Sequence, residues 1–388
     1  MQESDFEPGF PGELVPTAYD CCAFVPDKLP TNLRIDNHLR DANEAALLGL
    51  GELRAIIPAL PNPKLITRPF LRREAVLSSK IEGTHTELEG LYLFETTSSQ
   101  NGAVDEDDEE FQDVREVHNY VVALEYGLKQ LKKIPVCNRL LKHMHERLMK
   151  GVRQERGKHK WPGQFRRAQA FMGSDDILAA RYVAPPADHL ERLMGDLEKH
   201  INQSHEIPTL CKIALIHYQF EAIHPFSDGN GRLGRLLVSL LLSQSGILAE
   251  PLLYLSAFFE RNRTEYIRYL WEVSRSGSWA EWVLFFLTGV QQESADAVNR
   301  ARQIIALREE YRSKLQSDRG SASLLKLIDL LFHWPVVSIN STQRQLEMTY
   351  SGVQRNVQKL ESAGIVEEIT GKKRNRLYLA RPILQLLT

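Results

Sequence analysis

Helical periodicity runs through this chain almost from end to end and leaves room for little besides an α-rich fold. Over 33–60 the apolar residues Leu39, Ala42, Ala46, Leu50, Leu53 and Ile57 recur at three- and four-residue spacing, one face of an amphipathic helix, until Pro61 and Pro63 stop it. A second helix is expected from about Pro69, which suits a first helical turn, through Leu71 and Ala75 to Ile81. Gly83 suits the left-handed position that ends it, and Thr84 with Glu87 fits a capping box for the next helix. The same period returns over 111–131, 138–149, 187–201, 210–222, 232–244, 263–274 and 279–312. Three stretches break it. The first 30 residues hold five prolines and read as an extended arm, while 96–108 is polar, acidic and aperiodic, a surface loop. Two short extended runs, 165–172 and 179–183, flank Gly173-Ser174-Asp175-Asp176 and read as a β-hairpin.

After a polar break at 317–321 the pattern changes. Helices over 324–332, 343–346 and 351–363 precede two strands, 365–369 and 376–379, around Gly371-Lys372-Lys373, the order of a winged helix-turn-helix. With 388 residues, the chain divides into an N-terminal arm and helical region (1–110), a helical core (111–290), a linker helix (291–317) and this last module (318–388).

Charge is informative only when resolved along the chain. Lys and Arg number 48 against 50 Asp and Glu, a net of −2, which gives no global case for a nucleic-acid or membrane-surface protein. Yet 105–116 carries eight acids and one base, a net of −7, and 318–388 carries ten bases and six acids, a net of +4. The four cysteines, with Cys21 and Cys22 adjacent and Cys137 and Cys211 isolated, form neither a disulfide framework nor a zinc-finger spacing, which suits the reducing cytoplasm. His143 with His145, and His205 with Glu206, lack a third ligand in register and are expected to be surface or core residues. No apolar run reaches the ~18 residues of a membrane span, and no secretory signal is expected at the N-terminus.

One stretch concentrates chemistry: Ile223-His224-Pro225-Phe226-Ser227-Asp228-Gly229-Asn230-Gly231-Arg232-Leu233-Gly234-Arg235. Gly229 and Gly231 let backbone N–H groups approach a phosphate at the start of a helix, where unpaired donors and the helix dipole favour negative charge. Arg232 and Arg235, three apart, share a face and can clamp phosphate oxygens. Asp228 is a hard oxygen ligand suited to Mg²⁺, and His224 can take a proton from a hydroxyl near neutral pH. The plainer alternative is a glycine-rich turn with solvated arginines and one hydrogen-bonded histidine.

Position for position, His224 to Arg235 resembles the HPFx(D/E)GNGRxxR signature of Fic-domain proteins. The resemblance implies a mainly α fold, an all-helical core with a small β-hairpin flap, here with an N-terminal helical extension and a C-terminal winged helix. It also implies an enzyme that transfers AMP from ATP to a hydroxyl side chain of a protein. His224 resembles the general base and Asp228 the Mg²⁺ ligand. The run Gly229, Asn230, Gly231, Arg232, Leu233, Gly234 and Arg235 resembles the ATP-binding segment, with Phe226 packed inward to fix the loop. The 165–183 hairpin falls where the family places the flap that aligns the target chain by strand addition. Tyr266 falls where related proteins put an aromatic beside the nucleotide, and is equally well placed as a core tyrosine.

Upstream, Ser78-Ser79-Lys80-Ile81-Glu82-Gly83 resembles the family's inhibitory pattern (S/T)xxxE(G/N). The resemblance implies that Glu82 pairs with Arg235 in place of the γ-phosphate, so that ATP binds with its α-phosphate out of line. A carboxylate so placed can also orient a water to remove AMP from a modified target, and the residues do not separate the two. Two functional classes follow: an AMP-transferase restrained by Glu82 that also modifies itself, and a transcription regulator that senses nucleotide with the core and acts through the winged helix. Arg344, Arg355, Lys359, Lys372, Lys373, Arg374 and Arg376 suit DNA, or else are solvated bases of a protein-contact module. The resemblance further implies a homodimer. The acidic loop near 105–110 lacks the EF-hand spacing of a calcium site and reads as solvated rather than as a basic-partner site.

Overall fold

The computed structural model describes residues 1–59, 62–98, 109–152, 161–316 and 322–388. The chain is mainly α-helical, with small antiparallel sheets. The acidic residues 105–108 and the polar break at 317–321 lie outside the described residues.

Two helices are apolar on nearly every side and therefore form the centre. Thr209–Ile223 and Asn230–Gln244 bury most of their residues and pack against each other, joined by the short loop that carries the signature. Glu109–Leu131, Asn138–Leu148, Leu190–Asn202 and Lys64–Ile81 surround them. Trp279–Gln316 is one uninterrupted helix of 38 residues, about 57 Å long at 1.5 Å per residue. The expected boundary between core and linker at 290 thus falls inside a continuous element. Along it lies Asn37–Ile56, started by the Asp36 carboxylate, which accepts the Leu39 N–H at 2.9 Å.

Several boundaries differ from the sequence reading. The second helix begins at Lys64, not near Pro69, so Pro69 sits inside it. It ends as expected at Gly83, with φ +90°. Thr84 does not cap the following helix, which begins at Leu88; its hydroxyl points instead to Glu116 Oε2 at 3.5 Å. That helix runs to Ser98, so the first residues of the expected 96–108 loop are helical. The short helix Ser256–Arg261 was not expected.

The proline-rich N-terminus is not an extended arm. Gly12–Pro16 and Cys22–Pro26 pair antiparallel, Gly12 opposite Pro26 and Pro16 opposite Cys22. Pro16 and Pro26 each close a strand, where a missing N–H does least harm, which is why five prolines disguised a hairpin. Phe24, fully buried, anchors it in a cluster with Phe6, Phe10 and Tyr182, and Trp271 joins the same cluster. This hairpin therefore braces the second one, in which Phe171–Met172 pairs with Tyr182–Val183.

In the C-terminal region, the order is helix Ala322–His333, strand Val336–Ser338, helices Ile339–Leu346 and Tyr350–Ser362, then strands Glu367–Glu368 and Leu377–Leu379. Leu377–Leu379 is the central strand, antiparallel to both neighbours. Three-residue Val336–Ser338 gave too short a pattern to be read, although Ser338 also caps the next helix by accepting the Ser341 N–H at 3.0 Å. A final helix, Arg381–Leu387, follows. The region packs directly on Lys64–Ile81 and on the helix after it: the Arg72 guanidinium lies 4.6 Å from the Trp334 ring centre, and Thr96 Oγ1 donates to Val336 O at 3.1 Å. No helix among the described residues is long and apolar enough to cross a membrane.

Candidate active site

The signature loop is held by its own residues before any ligand arrives. His224 ends the helix Thr209–Ile223 in the left-handed conformation, φ 49°, its N–H donating to Phe220 O at 3.0 Å. Asn230 then ties the loop across: Nδ2 donates to Phe226 O at 2.7 Å, and Oδ1 accepts the Phe226 N–H at 2.9 Å. Its side chain thus fixes the loop's shape, so any phosphate contact from Asn230 falls to its backbone. Phe226 points inward, stacked on His145 with ring centres 3.9 Å apart and edge-on to Phe165.

Two more residues complete this support: His145, expected only as a surface or core residue, and Arg166, which the sequence did not single out. His145 Nδ1 accepts the Gly163 N–H at 2.9 Å while Nε2 donates to Asp228 O at 3.0 Å, which fixes the neutral tautomer. Burial lowers its pKa to about 4, so that tautomer persists at neutral pH. Arg166 spreads its guanidinium over His224 O at 2.8 Å, Ala168 O at 3.0 Å and Pro185 O at 2.6 Å, and its N–H donates to Pro225 O at 2.9 Å. Together with Tyr182, whose hydroxyl donates to Ala222 O at 2.7 Å, it fastens the small hairpin to the loop.

The start of the helix Asn230–Gln244 forms a concave, positive corner. Gly229 adopts φ 76°, a conformation costly for a residue with a Cβ. Gly231 has a different role. A Cβ there would overlap Glu82 Oε1, so the missing side chain is what lets that carboxylate lie against the first helical turn. Arg235 Nη2 donates to Glu82 Oε1 at 2.8 Å and to Ser78 O at 2.8 Å, and Nε donates to Ser78 Oγ at 2.7 Å. Ser78 and Glu82, four apart at the end of Lys64–Ile81, thus face the same guanidinium. Burial alone would raise the Glu82 carboxyl, but the charge and hydrogen bond of Arg235, with Arg232 and His224 beyond, hold it below its ordinary value.

Arg232 is held by two carboxylates. Its Nη1 donates to Glu116 Oε2 at 2.9 Å, both side chains buried, and Nη2 lies 3.5 Å from Asp228 Oδ1. Glu116 and Asp113, which accepts the His85 N–H at 2.9 Å, belong to the helix Glu109–Leu131, within the span expected to be helical. Asp228 Oδ1 also accepts the Gly229 N–H at 2.6 Å, and the carboxylate stays partly exposed at the mouth of the corner. Among the described residues no group of three or more side chains could hold a metal.

The imidazole of His224 meets the same corner. Its Nδ1 is buried without a hydrogen-bond partner, and burial, reinforced by the nearby Arg166 charge, lowers its pKa to about 4. The ring is thus neutral at pH 7. Leu233 is fully buried in the core, and Gly234 packs on Phe220 and Glu221. Burial raises the Glu221 carboxyl to about 8, and its Oε1 has no hydrogen-bond partner. Tyr266 sits in the aromatic core, stacked on Phe259 at 4.4 Å, its hydroxyl donating to His217 Nε2 at 2.8 Å. Its placement is that of the core tyrosine, 4% exposed, beneath Arg235.

Known proteins resemble this chain in sequence and in fold. Residues 135–242 match the Fic/DOC family and residues 40–129 match the Fic/DOC family N-terminal region. A "Protein adenylyltransferase Fic" of Drosophila erecta is 33% identical over 137 residues, 33% of this chain and 25% of that protein. Its namesake in Drosophila grimshawi is 28% identical over 227 residues, 55% of this chain and 42% of that protein. The chain thus spans a quarter to under half of the length of these curated relatives. In fold it resembles a Fic family protein from Desulfovibrio desulfuricans (TM-score 0.54, 19% identity, 90% of this chain and 97% of the other). It likewise resembles a Fic-domain-containing signalling protein from Bacteroides thetaiotaomicron (TM-score 0.51, 17% identity, 66% and 97%). Signature loop, helical fold and family matches agree: the chain belongs to the Fic/DOC family.

Proposed function

We propose that the chain is a protein adenylyltransferase that moves AMP from ATP to a Ser, Thr or Tyr hydroxyl of a target protein, and to its own, and that Glu82 restrains it. The observation that carries this reading is the Glu82 carboxylate on Arg235 at a helix N-terminus, where an anion is most stable. ATP brings anions to the same place. With Glu82 displaced, the backbone N–H groups after Gly229 and the Arg235 guanidinium bind the polyphosphate. His224 then takes the proton of the target hydroxyl as its oxygen bonds to the α-phosphorus, and the α–β bridging oxygen leaves with pyrophosphate. Arg232, tied to Glu116 and Asp228, shapes the loop and adds positive potential.

Mg²⁺ fits the residues present. Asp228 is a hard, partly exposed carboxylate beside the phosphate corner, as suits an ion held by one carboxylate, phosphate oxygens and water. When bound, the ion neutralises phosphate charge. The hairpin from Phe171 to Val183, fastened through Arg166 and Tyr182, offers a strand edge on which a target segment aligns. The test is transfer of label from [α-³²P]ATP to protein. It is expected with Glu82→Gly and to vanish when His224→Ala is added; label that survives His224→Ala would overturn the reading.

A winged helix at 322–388 gives a second reading, nucleotide-dependent regulation of transcription. In its support, Arg344, Arg355, Lys372, Lys373, Arg374 and Arg376 are all exposed. Salt-dependent binding of duplex DNA by the full chain, lost on replacing Lys372, Lys373 and Arg374, tests it. A homodimer and a cytoplasmic location belong to the same account, and exposed Leu47 and Leu48 on Asn37–Ile56 suit self-association. If Glu82 instead orients a water for AMP removal, Glu82→Gly abolishes release of AMP from a labelled target.

A further inference from the structure

Ten residues before Glu82, about 15 Å along the same helix, Arg72 borders a cleft of about 390 Å³, within the ~300–1,000 Å³ range of small-molecule sites. Its walls come from Lys64–Ile81, Leu88–Ser98, Glu109–Leu131 and, through Trp334, the C-terminal region. The charges of the cleft are unevenly matched. Arg72 and Glu95 pair at 2.7 Å, both buried, and Glu95 also faces His118 at 3.4 Å, so these groups satisfy one another. Arg68, half-buried beside the Trp334 ring, has no carboxylate within ion-pair distance among the described residues, and Glu125 has no cation. Trp334, Phe94, Val121 and Val122 complete the lining.

We propose that this cleft binds a small planar molecule with one negative charge, its ring against Trp334 and Phe94 and its anionic group on Arg68. Glu125 on the rim disfavours a second negative charge. Because Arg72 already lies over the Trp334 ring, a ligand ring that takes that face displaces Arg72 and loosens the helix that carries Ser78 and Glu82. The binding site stands independently of the transfer reaction; only this last link rests on the restraint proposed above.

Isothermal titration of the full chain with indole-3-acetate, indole and tryptamine, which share a ring and differ in charge, tests it. Indole-3-acetate is expected to bind about tenfold more tightly than tryptamine, equivalent to about 1.4 kcal/mol. Arg68→Gln, at a half-buried surface position, is expected to abolish that margin while leaving indole unchanged, and Trp334→Leu to weaken all three. Equal affinity for the three probes, or a margin that survives Arg68→Gln, overturns the site. Hydrogen exchange at 78–83 is expected to quicken when indole-3-acetate binds; binding without that change overturns the link to Glu82 and leaves the site intact.

Discussion

Replacing Glu82 by Gln isolates the charge of the contact on which the proposed restraint depends. Of the three bonds that Arg235 makes to this segment, those to Ser78 Oγ and Ser78 O are to neutral oxygens, and only the 2.8 Å contact to Glu82 Oε1 joins two charges. Glutamine preserves volume and an acceptor oxygen. A hydrogen bond to a charged group contributes a net ~1.5–3 kcal/mol, and with the Glu82 side chain 38% exposed, solvent screening brings this to about 1–2 kcal/mol. That corresponds to a ~5- to 30-fold shift toward a vacated Arg235. The initial rate of ³²P incorporation from saturating [α-³²P]ATP should rise by that factor in Glu82→Gln, and at least as much in Glu82→Gly. A rate within twofold of the parent in both variants, with thermal melts showing both folded, would refute the reasoning.

Other predictions follow from the same geometry. In a Glu82→Gly background, Arg166→Lys cannot reproduce the fan of bonds to His224 O, Ala168 O and Pro185 O, and should lower kcat by ~10- to 100-fold with KM for ATP nearly unchanged; steady-state kinetics check both parameters. Phe24→Ala empties the centre of the N-terminal aromatic cluster and should cost ~3–5 kcal/mol in urea unfolding, whereas a change under ~1 kcal/mol would mean the hairpin is not packed as described. Stability should peak near pH 6.5. His145, His217 and His224 have folded pKa values of about 4, 3 and 4, below the unfolded value, so below pH 6.5 the unfolded chain binds more protons and stability falls with acid. Glu74 and Glu221, raised by burial to about 7 and 8, hold protons only in the folded chain, so stability also falls as pH rises through those values. Melting temperatures from pH 4.5 to 8.5 test this, and a monotonic rise to pH 8.5 contradicts it.

What could be read from the sequence was what is local in it. Gly229, Gly231 and Arg235 lie within two turns of a helix start, and Ser78 and Glu82 lie on adjacent turns, so spacing alone brings each set together. The helices of the core announced themselves by period, and the Gly-Ser-Asp-Asp turn betrayed two strands of only two residues. Contacts between distant segments left no such trace. Glu116 meets Arg232 across 116 residues, a pairing that no local spacing encodes. Arg166 reaches His224 across 58 residues from a stretch with no period. His145 acts through a backbone carbonyl, a partner no side-chain pattern encodes. The N-terminal hairpin was hidden because proline composition signals loops, while its stability comes from Phe24 packing on Tyr182, which lies 158 positions later in the chain.

The central claim, that His224 transfers AMP and Glu82 prevents it, is tested most directly by intact-mass spectrometry of the Glu82→Gly protein after incubation with ATP and Mg²⁺. The account predicts a gain of one or more AMP groups, a much smaller gain in the parent chain, and none in the Glu82→Gly, His224→Ala double variant. No gain in Glu82→Gly, or an equal gain in the double variant, would contradict it.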